Sequence, residues 1–181
     1  MLTVEEMRMV GFEEHESMLA LHRPLMFDMC CKSMNAKLDI VLEHKPSMIS
    51  CIIIQDKYAE PSMSAMPQAV AYACAVFQYN NAQRLRHGKL PLKEATIPFA
   101  TMRGLKPAFY TMTVTADLNE ALMAGTILEH ETKIRRCLTN WQEGSRDFRE
   151  ESPARAFRRK VFKNMDAFRL LAIDLRAPWE L

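Results

Sequence analysis

Apolar residues along the chain alternate between helix-period and strand-period segments, with turn-forming residues between them. From Thr3 to His22, the residues Val4, Met7, Val10, Phe12, Met18 and Leu21 give one apolar side, which predicts an amphipathic helix ended by Pro24. Phe27 to Asn35 fits either a short strand or an irregular connection. Lys37–Glu43 and Met48–Asp56 are predicted strands. The second carries Ile49-Ser50-Cys51-Ile52-Ile53-Ile54, the near-continuous apolar run of a strand covered on both faces. His44-Lys45-Pro46-Ser47 between them is turn chemistry, so an antiparallel hairpin is expected.

A helix is predicted from Pro67 to His87, with proline in its first turn and Gly88 at its stop. Val70, Cys74, Phe77 and Leu85, helped by Ala71, Ala73 and Ala75, form its expected buried side. Thr96–Arg103 and Pro107–Thr115 read as a second strand pair around Gly104-Leu105-Lys106-Pro107, and Asp117–Ala124 as a short helix closed by Gly125. Ile127–Leu138 adds an edge strand, and Thr139–Glu151 reads as a loop. The last helix starts at Ser152-Pro153, an N-cap followed by proline at the first helical position. Its stripe is Phe157, Val161, Met165, Phe168, Ala172 and Leu175, close to the helical period. This order predicts one α/β (α+β) domain over residues 1–181, with a mixed central sheet of four to five strands flanked by helices.

Composition narrows the class. With 181 residues, 49% hydrophobic and 25% charged, the chain has material for one core and is not a disordered polypeptide. No apolar run approaches the roughly 20 residues that span a bilayer, and the N-terminus lacks the basic-then-apolar form of a secretory signal. The expectation is an intracellular protein (cytoplasm or nucleus) with no membrane partner. The five cysteines are odd in number and show no C-x-x-C spacing, so neither a disulfide framework nor a zinc site is expected, and all five are read as structural. Charge drifts along the chain, with 6 Lys+Arg against 10 Asp+Glu in residues 1–60 and 12 against 8 in residues 131–181. An acidic start and a basic end fit a metal site beside a phosphate-binding surface, or simply solvated helix faces.

Alternate side chains of a strand share a face, so Gln55 and Lys57 project to one side and Asp39 stands on the neighbouring strand. An acid, a second oxygen donor and a lysine at one sheet end are the parts needed for metal-assisted phosphodiester hydrolysis. The next helix carries Gln68-x-x-x-Tyr72. This arrangement resembles the PD-(D/E)xK superfamily, with Asp39 in the place of its metal-binding Asp and Gln55-Asp56-Lys57 in the place of (D/E)-x-K. Gln68-x-x-x-Tyr72 resembles the Q-x-x-x-Y element of one branch of that superfamily.

The resemblance implies a restriction-endonuclease-like fold, Mg²⁺ held by Asp39 and Gln55, Lys57 as electrostatic catalyst, and DNA or RNA as substrate. It also implies an acid from the first helix, for which Glu13, Glu14 and Glu16 are the candidates. Gln55 departs from the pattern: a neutral amide replaces a carboxylate, which weakens a Mg²⁺ site. Asp56 compensates only if a bulge turns it inward. A catalytically silent nucleic-acid- or protein-binding domain of the same fold is the alternative. Residue by residue, Asp39 also reads as a strand-edge acid paired with Lys37 or Lys57. Gln68 reads as a partner of backbone groups at the helix start, and Tyr72 as a core residue.

Ile54-Gln55-Asp56-Lys57, Ala75-Val76-Phe77-Gln78-Tyr79-Asn80-Asn81 and the stretch from Ile97 to Tyr110 are also similar to a set of proteins from mushroom-forming fungi, from which no activity carries over. The final helix offers Arg155, Arg158, Arg159 and Lys160, with Lys163 and Arg169. These suit a nucleic-acid phosphate backbone, a solvated face or a partner-binding helix.

Overall fold

The computed structural model describes residues 4–13, 16–44, 48–55, 66–103, 106–128, 130–138 and 153–179. Its elements are a helix α1 (Val4–Met9), strands β1 (Ser17–Met29), β2 (Lys32–His44) and β3 (Met48–Gln55), and helix α2 (Met66–Arg86). These are followed by β4 (Glu94–Arg103), β5 (Lys106–Thr115), helix α3 (Ala116–Ala124), β6 (Ile134–Leu138), helix α4 (Pro153–Arg176) and a 3₁₀ turn at Ala177–Trp179. The strands form one mixed sheet in the order β1-β2-β3-β4-β5-β6. Only β3 and β4 are parallel, joined by α2; every other neighbouring pair is antiparallel.

The sheet has six strands where the sequence predicted four to five. The main correction is at the N-terminus, where the expected helix from Thr3 to His22 is the six-residue α1 followed by the first half of β1. Met7 and Phe12 are buried as expected, but Met18 and Leu21 point outward. Pro24 ends no helix. It lies within β1, an edge strand, where a missing N–H costs no interior ladder bond. Phe27–Asn35 resolves into the ends of β1 and β2 and the turn between them. The edge strand read from Ile127 begins only at Ile134, and the loop read at Thr139–Glu151 lies outside the described residues.

Each face of the sheet is covered by one long helix. On one, Val41, Ile52, Ile54, Phe99, Tyr110 and Val114 meet Ala69, Ala73, Val76 and Phe77 of α2. On the other, Ile40, Cys51, Ile53, Ala100 and Phe109 meet Val161, Met165, Phe168 and Ala172 of α4, so the predicted α4 stripe is the buried one. Leu85 is the exception on α2: read as buried, it is 59% exposed.

The hairpin of β1 and β2 changes faces partway along. Leu38 belongs to the α2 side and Ile40 to the α4 side, although residues two apart on a regular strand share a face. Leu19 and Leu25 on β1 differ in the same way. Between them His22 has φ 53°, and the ladder passes from Leu21↔Ile40 to Arg23↔Leu38 without pairing it. The turnover falls at His22 and Asp39, and it lets the far half of the hairpin fold onto α2 and α3.

Three carboxamides on α2 fasten this arrangement. Asn80 accepts from Ile49 N (3.0 Å) and donates to Ile49 O (2.9 Å). Gln78 does the same with Asp28 N (2.8 Å) and O (3.0 Å), and also donates to Asn119 Oδ1 (2.8 Å). Asn81 takes Leu92 N (2.8 Å) and O (3.2 Å). The amide-rich motif of this helix thus joins it to β3, to β1 and to the segment before β4.

Candidate functional site

The parallel pairing β3–β4 sets one end of the sheet as the place where Gln55 and Met102 stand side by side, with Pro107 next on β5. Asp39 is half-buried on β2. Ile40, next to Asp39, pairs with Ile53, two residues before Gln55. Asp56 and Lys57 lie outside the described residues, as does the side chain of Gln55.

α2 starts at the same end of the sheet. Gln68 Nε2 donates to Tyr72 Oη at 2.6 Å, and Tyr72 Oη donates to the carbonyl of Lys37 at 3.0 Å, two residues before Asp39. The Gln68-x-x-x-Tyr72 spacing is thus an i,i+4 contact on one helix face, and its outer partner is the backbone of β2. Gln68, expected to meet backbone groups at the helix start, gives its amide N–H to the Tyr72 hydroxyl.

The direction of α4 brings a third component. Arg176, at its C-terminal end, donates from Nη1 to Ser17 Oγ (3.2 Å) and lies 3.1 Å from His44 Nδ1, at the end where β3 begins. Phe168 packs on Phe109 with centroids 5.0 Å apart, over the row of Ala100, Ile53 and Ile40. The helix therefore runs against β3. At about 1.5 Å per helical residue, Lys160 and Arg155 lie about 12 and 20 Å beyond Phe168. Gln55 lies only about 7 Å beyond Ile53. Arg155, Arg158, Arg159 and Lys160, all exposed, thus reach past the sheet end that carries Gln55. From Pro153 to Met165 the helix has five cationic residues and no acidic one.

Of the acids expected from the first helix, Glu13 is engaged elsewhere. Glu13 follows α1, takes Arg8 Nε at 2.8 Å and accepts from Leu19 N at 3.2 Å. The hydrogen bond and charge of Arg8 hold its carboxyl below the usual range. Leu19 pairs with Leu42, three residues along β2 from Asp39. Glu16 is exposed, with φ 62°, and Glu14 lies outside the described residues.

On the neighbouring edge strand, Arg23 pairs across with Leu38. Arg23 Nη2 donates to Tyr79 Oη at 3.1 Å, and the guanidinium sits 5.7 Å from that ring's centre. Its Nε is 2.8 Å from Glu43 Oε1, but neither atom has an aligned hydrogen bond, so the contact is an ion pair without directional bonding. Burial works against the charged guanidinium, the Glu43 carboxylate and Tyr79 outweigh it, and the pKa stands above its ordinary value. Nothing in the sequence marked this cluster, because Arg23 was assigned to a helix end.

Mg²⁺ is held by one or two carboxylates with several retained waters. Among the described residues no three of His, Cys, Asp and Glu come together to hold a metal. Of the residues expected to hold Mg²⁺, only Asp39 has a described side chain, and one carboxylate is the lower limit of that chemistry. Among the described residues no helix is long and apolar enough to cross a membrane. Compared with known proteins, the chain matches no family model, no curated protein and no solved structure.

Proposed function

We propose that the protein is a phosphodiesterase-type nuclease-fold domain that takes nucleic acid at the sheet end formed by the C-termini of β3 and β4. One observation carries the reading: α4 runs against β3, so its cationic half extends past the same end that holds Asp39, Gln55 and the Gln68–Tyr72 pair. Arg155, Arg158, Arg159 and Lys160 bind the phosphate backbone, which fixes position without reading sequence. Asp39 and Gln55 hold Mg²⁺, which supplies polarisation of the scissile phosphate when bound. Lys57 stabilises the negative charge that develops on the phosphate oxygens. The strand order, an acid on β2 and then β3 leading into the Gln-bearing α2, is the outline on which the resemblance to the PD-(D/E)xK superfamily rests.

The test is cleavage of supercoiled plasmid, single-stranded DNA and RNA with Mg²⁺ or Mn²⁺, with Lys57→Ala and Asp39→Ala alongside. Cleavage by the parent chain and its loss in both variants is the expected result; no cleavage of any substrate under either metal overturns it. A second reading has its own support. Tyr72 and Gln68 bond each other and the β2 backbone, and an amide stands where a carboxylate is expected. On that reading the domain binds nucleic acid without cutting it, and salt-sensitive, metal-independent retention of DNA or RNA is its mark.

A further inference from the structure

The turn that joins β1 to β2 consists of two adjacent cysteines, and both have left-handed backbones: φ is 50° at Cys30 and 58° at Cys31. Met29 pairs with Lys32, so this is a two-residue hairpin loop with positive φ at both central positions. That pattern favours Asn-Gly, because a Cβ is unfavourable there. The thiols are not core filling, since both cysteines are exposed.

The turn's backbone has an evident task. Cys30 N–H donates to Leu122 O at 2.9 Å, which also accepts from Gly125 N–H, and Cys31 N–H donates to Met123 O at 2.7 Å, so the turn helps satisfy the carbonyls at the C-terminal end of α3. An Asn-Gly turn offers the same two N–H groups with less strain, so the thiols are the part that calls for a reason. Both lie against the last residues of α3. Cys31 Sγ is 3.6 Å from Ala124 O, and a Cβ built on Gly125 would stand 3.4 Å from Cys30 Sγ. Gly125, with φ 71°, lets the turn approach closely, since a Cβ there would stand 3.2 Å from the Cys30 Cα.

We propose that Cys30 and Cys31 form a two-thiolate site for a soft monovalent cation, with Cu(I) as the ion whose preferences it meets. Thiolate donors select soft ions. Zn²⁺ calls for three or four protein ligands, and among the described residues no third His, Cys, Asp or Glu joins the pair. Binding is a ligand exchange with no redox step: two thiols release two protons, two Cu–S bonds form, and the copper stays Cu(I). A disulfide between the same residues would close a strained eight-membered ring, since adjacent Cα atoms stand about 3.8 Å apart across a trans peptide, below the usual range of roughly 4.4–6.8 Å for a bridged pair.

The experiment is anaerobic titration of the reduced full chain with Cu(I) held by a colorimetric chelator. The chain is expected to withdraw a single Cu(I). Cys30→Ser and Cys31→Ser should each weaken uptake by about tenfold or more, since even outer-sphere partners of a metal cost 10–100-fold. The double variant should take up none. Cys137→Ser, at the other exposed cysteine, should bind as the parent does. No withdrawal by the parent chain, or equal withdrawal by the double variant, overturns the site. Should a serine variant fail to fold, the parent chain alone decides by alkylation with iodoacetamide. Cu(I) should protect Cys30 and Cys31 while Cys137 is modified, and equal modification of all three overturns the proposal.

Discussion

A carboxamide presents a donor and an acceptor with the spacing of a peptide group, so one Asn side chain can stand in for a stretch of β-ladder. Asn80 does this inside the protein, fully buried, on both polar groups of Ile49. Asn80→Ala would leave a buried N–H and a buried C=O without partners, at about 1–3 kcal/mol each, so a loss of about 2–6 kcal/mol is expected from urea unfolding. Asn80→Asp keeps the acceptor but buries a charge, and should be no better than Asn80→Ala. At Asn81, only partly buried, water can replace the lost bonds to Leu92, and Asn81→Ala should cost about 1 kcal/mol. The same accounting changes the meaning of the Phe77-Gln78-Tyr79-Asn80-Asn81 stretch. As a motif it invites a functional reading, yet its three amides are each engaged by backbone, so it encodes how α2 is attached.

Among the elements, α4 is held by a stripe and α2 by a broad buried face, and single truncations separate the two kinds of position. Phe168→Ala removes a buried ring packed at a tilt on Phe109 and should cost about 3–5 kcal/mol in thermal or urea unfolding. Leu85→Ala, on a side chain 59% exposed, should stay within about 0.5 kcal/mol of the parent. β3, α2 and α4 were legible because each keeps a single hydrophobic phase along its length: an apolar run, an alanine-rich face, a stripe of helical period. β1 was not. Leu19, Leu25 and Phe27 have the same parity but face opposite helices, because the left-handed residue between them resets the pleat, and that residue is histidine rather than the glycine that would have announced it. The site divides the same way. Asp39 and the Gln68–Tyr72 spacing were visible as letters. The placement of the α4 cations at the end of the sheet depends on which way the helix runs, and a sequence stripe is the same in either direction.

At the scale of the whole molecule, salt and pH probe separate things. If the cationic half of α4 meets a phosphate backbone, log affinity should fall linearly with log salt, and removing Arg155, Arg158 or Lys160 one at a time should each reduce the slope by about one, measured by fluorescence anisotropy. Buried thiols set the alkaline limit. Burial pushes Cys51, under α4, up to about 12, and Cys74, on α2, up to about 11, against an ordinary value of 9.0. Below pH 9.0 both folded and unfolded chains keep these protons, so the thiols give stability no slope. Above it the unfolded chain releases them while the native chain retains them. Stability must then fall with rising pH, by up to about 1.4 kcal/mol per pH unit for each thiol, until the native thiols also ionise near 11 and 12. Lysines and tyrosines titrate in that range too, so the informative quantity is a difference between two chains. Cys51→Ala should unfold at lower urea than the parent at pH 8, because it leaves a cavity between β3 and α4. Its loss of stability from pH 9 to pH 11 should nonetheless be shallower than the parent's; parallel slopes for the two chains would mean that the Cys51 thiol ionises in the native state as easily as in the unfolded one.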